Sequence, residues 1–118
     1  MKENNVILEK TFEFSLKVIE IYKFLTEEKR EFIMSKQLLR SATSVGANSE
    51  EADSAQSRKD FIAKMSIALK EAKETRYWIR LLLWAKYLTK KDVLEDCETI
   101  IKILTKILII LGLFFKNM

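Results

Sequence analysis

Apolar residues recur along this chain at alternating spacings of three and four, the rhythm of helices that bury one stripe, and not at the spacing of two that marks half-buried strands. Between Ser57 and Leu88 the stripe runs Phe61, Met65, Ala68, Ala72, Thr75, Ile79 and Leu82. The stretch before it keeps the same rhythm with smaller side chains, Leu38, Ala42, Val45, Ser49 and Ala52, which lets two helix axes come close. Phe14, Val18, Ile21 and Leu25 form an earlier stripe, widened by Phe12, Leu16, Ile19 and Tyr22. Val93, Cys97, Ile100, Leu104, Ile107, Leu111 and Phe114 form the last, with Leu94, Ile101, Leu108 and Phe115 beside it.

These stripes predict helices at about 11–26, 33–55, 57–88 and 90–115, with a polar and frayed segment before residue 11. Ser35 is the expected N-cap of the second helix. Ser57, followed three residues later by Asp60, is a capping pair for the third, and Thr89 with Asp92 repeats the pattern for the fourth. Three short connections between four amphipathic helices make an all-α protein: a single-domain (1–118), left-handed, antiparallel up-down-up-down four-helix bundle. Gly46, inside the second helix, costs ~1 kcal/mol relative to alanine. A neighbouring helix too close for any side chain is the expected reason.

Composition supports the class and removes most chemistry. The 118 residues include no proline and two glycines, so the turns that hairpins need are missing, and the length suits one core without disulfides or metal. The one cysteine, Cys97, sits on an apolar stripe and reads as a buried structural thiol. With no histidine there is no usual general base, no usual zinc ligand and no Glu-x-x-His di-iron motif. Glu50, Glu51, Glu71 and Glu74 could converge on a metal, but Arg40, Lys73, Arg76 and Arg80 share their helices and favour a lattice of ion pairs. Neither a phosphate-cradling glycine loop nor a nucleophile elbow is present. The expectation is therefore a protein that is not an enzyme and has no catalytic residues, metal or cofactor. The N-terminus lacks the apolar core of a signal peptide and no window is long enough to span a membrane, which predicts a cytoplasmic protein with no membrane contact.

Two features exceed what a bundle requires. Apolar residues surround the helix at Tyr77-Trp-Ile-Arg-Leu-Leu-Leu-Trp84 and at Ile107-Leu-Ile-Ile-Leu-Gly-Leu-Phe-Phe115, although a helix in a bundle buries about one face. Tyr77, Trp78, Trp84, Ile107, Ile110, Phe114 and Phe115 are thus candidate contacts for self-association, in a ring or a two-fold dimer. The second feature is a basic series, Lys36 and Arg40 one turn apart on the second helix and Lys59, Lys73 and Arg80 at multiples of seven on the third. With 21 Lys and Arg against 17 Asp and Glu the formal charge is only +4, so a solvated face is the simpler account for one subunit. Repeated around a symmetric assembly, the same residues become a candidate surface for the backbone of RNA or DNA.

The run Gln37-Leu-Leu-Arg-Ser-Ala-Thr-Ser-Val-Gly-Ala-Asn-Ser-Glu-Glu-Ala52, followed by Phe61-Ile-Ala-Lys-Met-Ser-Ile-Ala-Leu-Lys-Glu-Ala-Lys-Glu-Thr75, resembles the bacterial four-helix-bundle family encoded in intervening sequences of 23S ribosomal RNA genes. That family is similar to the accessory variability protein of diversity-generating retroelements. The resemblance covers nearly the whole chain and rests on Arg40, Ser41, Ser44, Gly46, Asn48, Glu51, Ala52, Phe61, Ala68, Glu71 and Thr75. It implies a homopentamer without known catalysis. In the retroelement relative it implies a basic surface that contacts nucleic acid and a reverse transcriptase. The alternative role is a scaffold that recruits such a protein without touching nucleic acid.

Overall fold

The structure, a computed structural model, describes the backbone of residues 2–116 and the side chains of residues 6–112. Helix α1 spans Lys2–Glu27, α2 Met34–Asp53, α3 Arg58–Trp84 and α4 Asp92–Lys116. Each helix packs on its neighbours in the chain, and α4 closes back on α1, giving an antiparallel four-helix bundle of 52 × 22 × 21 Å. Val18, Leu25, Leu38, Val45, Met65, Ile79, Leu82, Leu104 and Ile107 fill its axis. No described helix is long and apolar enough to cross a membrane.

The α2–α3 interface is the one built from small residues, as the stripe of Ala42, Val45, Ser49 and Ala52 predicts. Ser41, Ala42 and Ser49 are buried against Ala68, Ala72 and Thr75. Short side chains at a close approach would leave buried hydroxyls without water, so the hydroxyls pair with one another and with carbonyls. Thr75 Oγ1 lies 2.9 Å from Ser41 Oγ and 2.8 Å from the Glu71 carbonyl. Ser49 Oγ donates to the Val45 carbonyl at 2.8 Å.

Several boundaries differ from the sequence pattern. Helix α1 begins at Lys2, not near Thr11, because Ile7 and Thr11 carry the buried stripe of Phe14 and Val18 two turns further toward the N-terminus. The Thr11 hydroxyl, facing that core, donates to the Ile7 carbonyl at 2.7 Å. Ser35 is not the cap of α2. The Glu31 carboxylate takes that role, accepting from the backbone N–H groups of Ile33, Met34 and Ser35 at 3.1, 3.0 and 2.7 Å. Ser57 does cap α3, accepting from the Asp60 N–H at 3.0 Å. Helix α3 stops at Trp84, four residues before the expected end. Ala85 and Lys86 turn the chain through a paired closure in which the Lys86 N–H donates to the Leu83 carbonyl and the Tyr87 N–H to that of Leu82. Lys86 supplies the left-handed residue of that turn, at φ 71°.

Gly46 also needs correction. A Cβ placed there would meet Ser15 Oγ at 3.4 Å and the Thr11 carbonyl at 3.6 Å, which is ordinary contact. The α1 backbone is near, yet one methyl group fits.

Candidate functional site

Helix α3 carries the charge of this protein. Seven Lys and Arg stand against three Asp and Glu on it, a net +4 that equals the formal charge of the entire chain. The other three helices are each slightly acidic, and the connection after α3 adds Lys86, Lys90 and Lys91. Because the seam of α3 faces α2 and α4, its polar positions fall on the outward side, where Lys59, Lys73 and Arg80 are all exposed.

The aromatic and the basic candidates, read separately from the sequence, share one face of α3. Tyr77 and Trp84 lie on the same outward face as Lys73 and Arg80 and are 53% and 64% exposed. The Arg80 guanidinium lies 5.9 Å from the centre of the Trp84 ring, a cation–π contact. Tyr77 meets Trp78 edge to face at 5.1 Å. Basic and aromatic side chains are therefore interleaved on one surface.

Arg40 does not join them as a free charge. It crosses from α2 to pair with Glu71 at 3.1 Å and with Glu74 at shorter range, and Trp78 Nε1 donates to the same Glu74 oxygen at 3.0 Å. The Trp78 donor and the guanidinium together hold the Glu74 carboxyl below its ordinary range. Glu51 likewise receives Lys64, 3.5 Å away. Ser41 facing Thr75 sets α2 antiparallel to α3, which brings Lys36, one turn before Arg40, level with Arg80. Among the described residues, Lys36, Lys59, Lys73 and Arg80 have no carboxylate within ion-pair distance.

Of the candidate self-association contacts, Tyr77, Trp84 and Ile110 are exposed and Trp78 is half-buried. Ile107 is fully buried in its own bundle, so it belongs to the core and is not offered to a second copy. Phe114 and Phe115 lie outside the residues whose side chains are described. Ile109, within the apolar run of α4, is exposed as well, and Phe12 and Leu16, read from the pattern as widening the α1 stripe, are exposed and not part of the core. Phe32 and Ile33, before α2, are further exposed apolar residues that the pattern did not single out. A stripe at helical spacing does not say which of its members lies at the edge.

Two hollows adjoin the end of α3. The larger, about 540 Å³, has Ile21, Phe24, Tyr87 and Leu88 in its floor and mixed charges at its rim, Lys29 and Lys90 with Glu20 and Asp92. Beneath its edge Lys17 ties α1 to the start of α4 through Asp92 at 2.8 Å and Asp96 at 2.5 Å. The smaller, about 390 Å³, is lined by Leu83, Trp84, Lys86, Leu88, Thr89 and Lys91. Sequence reasoning missed Lys86 and Lys91 because it placed the end of α3 beyond them or counted them as helix-start residues. The signal was the set Lys86, Lys90 and Lys91 closely following an exposed tryptophan. Cys97, by contrast, is sealed in the core with Sγ 3.4 Å from the Ala72 carbonyl, and burial pushes its thiol up to about 12.

Comparison with known proteins agrees with this architecture. The family model for the 23S rRNA-intervening sequence protein matches residues 3–107. A solved structure of a protein with unknown function from the S23 ribosomal protein family of Bacteroides thetaiotaomicron VPI-5482 is 49% identical, with a TM-score of 0.87. That likeness covers 90% of this chain and 97% of the other. No curated protein matches.

Proposed function

The chain belongs to the 23S rRNA-intervening sequence protein family, and from that premise we propose a non-enzymatic bundle of the cytoplasm that binds the backbone of RNA or DNA through the outward face of α3. The observation that carries the reading is charge segregation: the net charge of the chain is concentrated on one helix, and Lys59, Lys73 and Arg80 on its outer side are not neutralised by neighbouring carboxylates. Unpaired cations in a row attract a polyanion by releasing its condensed counterions, a drive that needs no base-reading element. Lys36 extends the row from α2. Arg40 does not contribute, since Glu71 and Glu74 already neutralise it.

Self-association completes the proposal. The resemblance implies a homopentameric ring, and the exposed Ile109 and Ile110 on α4 with Phe12 and Leu16 on α1 are apolar surface available for contacts between copies. A ring repeats the α3 face in every subunit, so modest phosphate contacts add. The same exposed apolar residues favour the second reading, a scaffold that recruits a protein such as a reverse transcriptase and does not itself touch nucleic acid.

The double substitution Lys73→Glu with Arg80→Glu separates the two. Both side chains are exposed and off the seam, so the bundle should lose less than ~1 kcal/mol per site. Nucleic-acid affinity should fall, and the slope of log affinity against log salt should decrease by about one for each phosphate no longer engaged. A folded double variant with the parent's mass by light scattering, unchanged affinity and unchanged salt slope would refute this surface and leave the scaffold reading. A monomeric mass for the parent at micromolar concentration would refute the ring.

A further inference from the structure

We infer that the end of α3 is a site for single-stranded nucleic acid, in which an unpaired base stacks on Trp84 and the adjoining phosphates are held by Lys86 and Lys91. The inference rests on the reading above and specifies which form of nucleic acid the surface takes.

The bundle has no use for Trp84. The residue is 64% exposed although aromatic rings of this size are normally the largest contributors to buried area. A flat ring left in water beside fixed cations is the arrangement that single-strand binders use, because every base has a π-face and stacking tolerates any sequence. The cations here come from two elements. The Arg80 guanidinium, on α3 itself, stands 5.9 Å from the ring centroid, and Lys86 and Lys91, on the connection that follows, line the hollow that Trp84 walls on one side.

Size and charge of that hollow fit the occupant. At about 390 Å³ it falls within the range of small-ligand sites, room for one nucleotide. Leu83 and Leu88 give it an apolar floor, Thr89 adds a hydroxyl at the edge, and no carboxylate lines it. The larger hollow nearby has Glu20 and Asp92 among its lysines and lacks this bias. The backbone adds a further detail. Lys86 occupies the left-handed position of the α3 closure, where glycine is the usual choice, and so keeps a charged side chain at a place the fold alone would give to a smaller residue.

A double helix hides its base faces except at its ends, so it can use only the cations of this surface. A single strand can use the ring as well. Tyr77, seven residues earlier and thus about 10 Å back along the same face, offers a second exposed ring to a strand that continues along α3.

The test uses the full chain and labelled oligonucleotides of about 12 nucleotides: single-stranded RNA, single-stranded DNA of the same sequence, and the matching DNA duplex. The parent should bind one or both single strands more tightly than the duplex. Trp84→Ala should lose about tenfold in single-strand affinity and little for the duplex, Trp84→Phe should keep most of it, and Lys86→Glu with Lys91→Glu should weaken single-strand binding and reduce its salt slope. In a Trp78→Phe background, with unchanged melting as the control, Trp84 emission should be quenched by single strands. Single-strand affinity unaltered in Trp84→Ala, with binding still weakened by the α3 charge reversals, overturns the stacking site and leaves the backbone reading standing. Absence of binding to all three probes at low salt overturns the reading beneath it. Trp84 emission that responds to protein concentration and not to oligonucleotide overturns the site in favour of a contact between copies.

Discussion

Neutralising Glu31 should destabilise the bundle more than its short connection suggests. Glu31 is only 8% exposed, and its carboxylate accepts three backbone N–H groups at the start of α2. The first N–H groups of a helix have no partner within it, and the positive end of the helix dipole favours an anion there. Glu31→Ala removes the acceptor and leaves three partly buried donors to find water. Loss of a cap typically costs about 0.5–2 kcal/mol, and the charged, poorly solvated character of this one places the expected cost near the top, about 2 kcal/mol. Glu31→Gln keeps one carbonyl acceptor and should cost about 1 kcal/mol. For a chain of this size each kcal/mol moves the melting temperature by about 4 °C. Burial by itself would raise the Glu31 pKa, but the N–H bonds from Met34, Ser35 and Ile33 outweigh it and lower the pKa from its ordinary 4.5. A carboxyl whose folded pKa is depressed binds fewer protons folded than unfolded between the two values, so its stabilisation is complete above about pH 4.5 and is lost as pH falls through the folded pKa. Urea unfolding of the parent and Glu31→Gln across this range should therefore show a gap that closes on acidification. Unfolding free energies within about 0.5 kcal/mol of the parent at neutral pH for both variants, or a gap independent of pH, would refute the capping role.

Gly46→Ala should leave stability unchanged or raise it by up to ~1 kcal/mol, because the new methyl meets Ser15 and Thr11 at ordinary contact distances. Gly46→Leu should be clearly destabilising, and thermal melts of the two variants check the pair. Cys97, with its thiol pushed up to about 12 by burial, should resist iodoacetamide at pH 8 in the folded protein and react fully in urea. Rapid labelling of the native protein, followed by mass spectrometry, would contradict its place in the core.

The helices were legible from spacing alone, since the stripes of Phe61 to Leu82 and of Val93 to Leu111 repeat turn after turn without a break. So was the Ser57 cap, a local signal read by residues three apart. The cap of α2 was not, because Glu31 lies in a charged run with no apolar member and only its burial distinguishes it from Glu27 or Glu28. The start of α1 was missed for a related reason. Ile7 is an apolar residue in a largely polar opening, and its place in the helix is fixed by its burial in the packed bundle.

The candidate surface divides in the same way. That Lys59, Lys73 and Arg80 share a face with Tyr77 and Trp84 follows from their numbers and the 3.6-residue turn. That Arg40 is neutralised, that Ile107 is in the core and that Lys86 and Lys91 come to lie beside Trp84 does not. Those facts depend on which helix stands next to which, and on a chain reversal after Trp84 whose geometry is set by Leu82 and Leu83 accepting the bonds of residues that follow. Local periodicity determines the helices and their buried faces, because each turn repeats the same geometry. Charge pairing and surface hollows arise between segments distant in sequence, and only the packed bundle decides them.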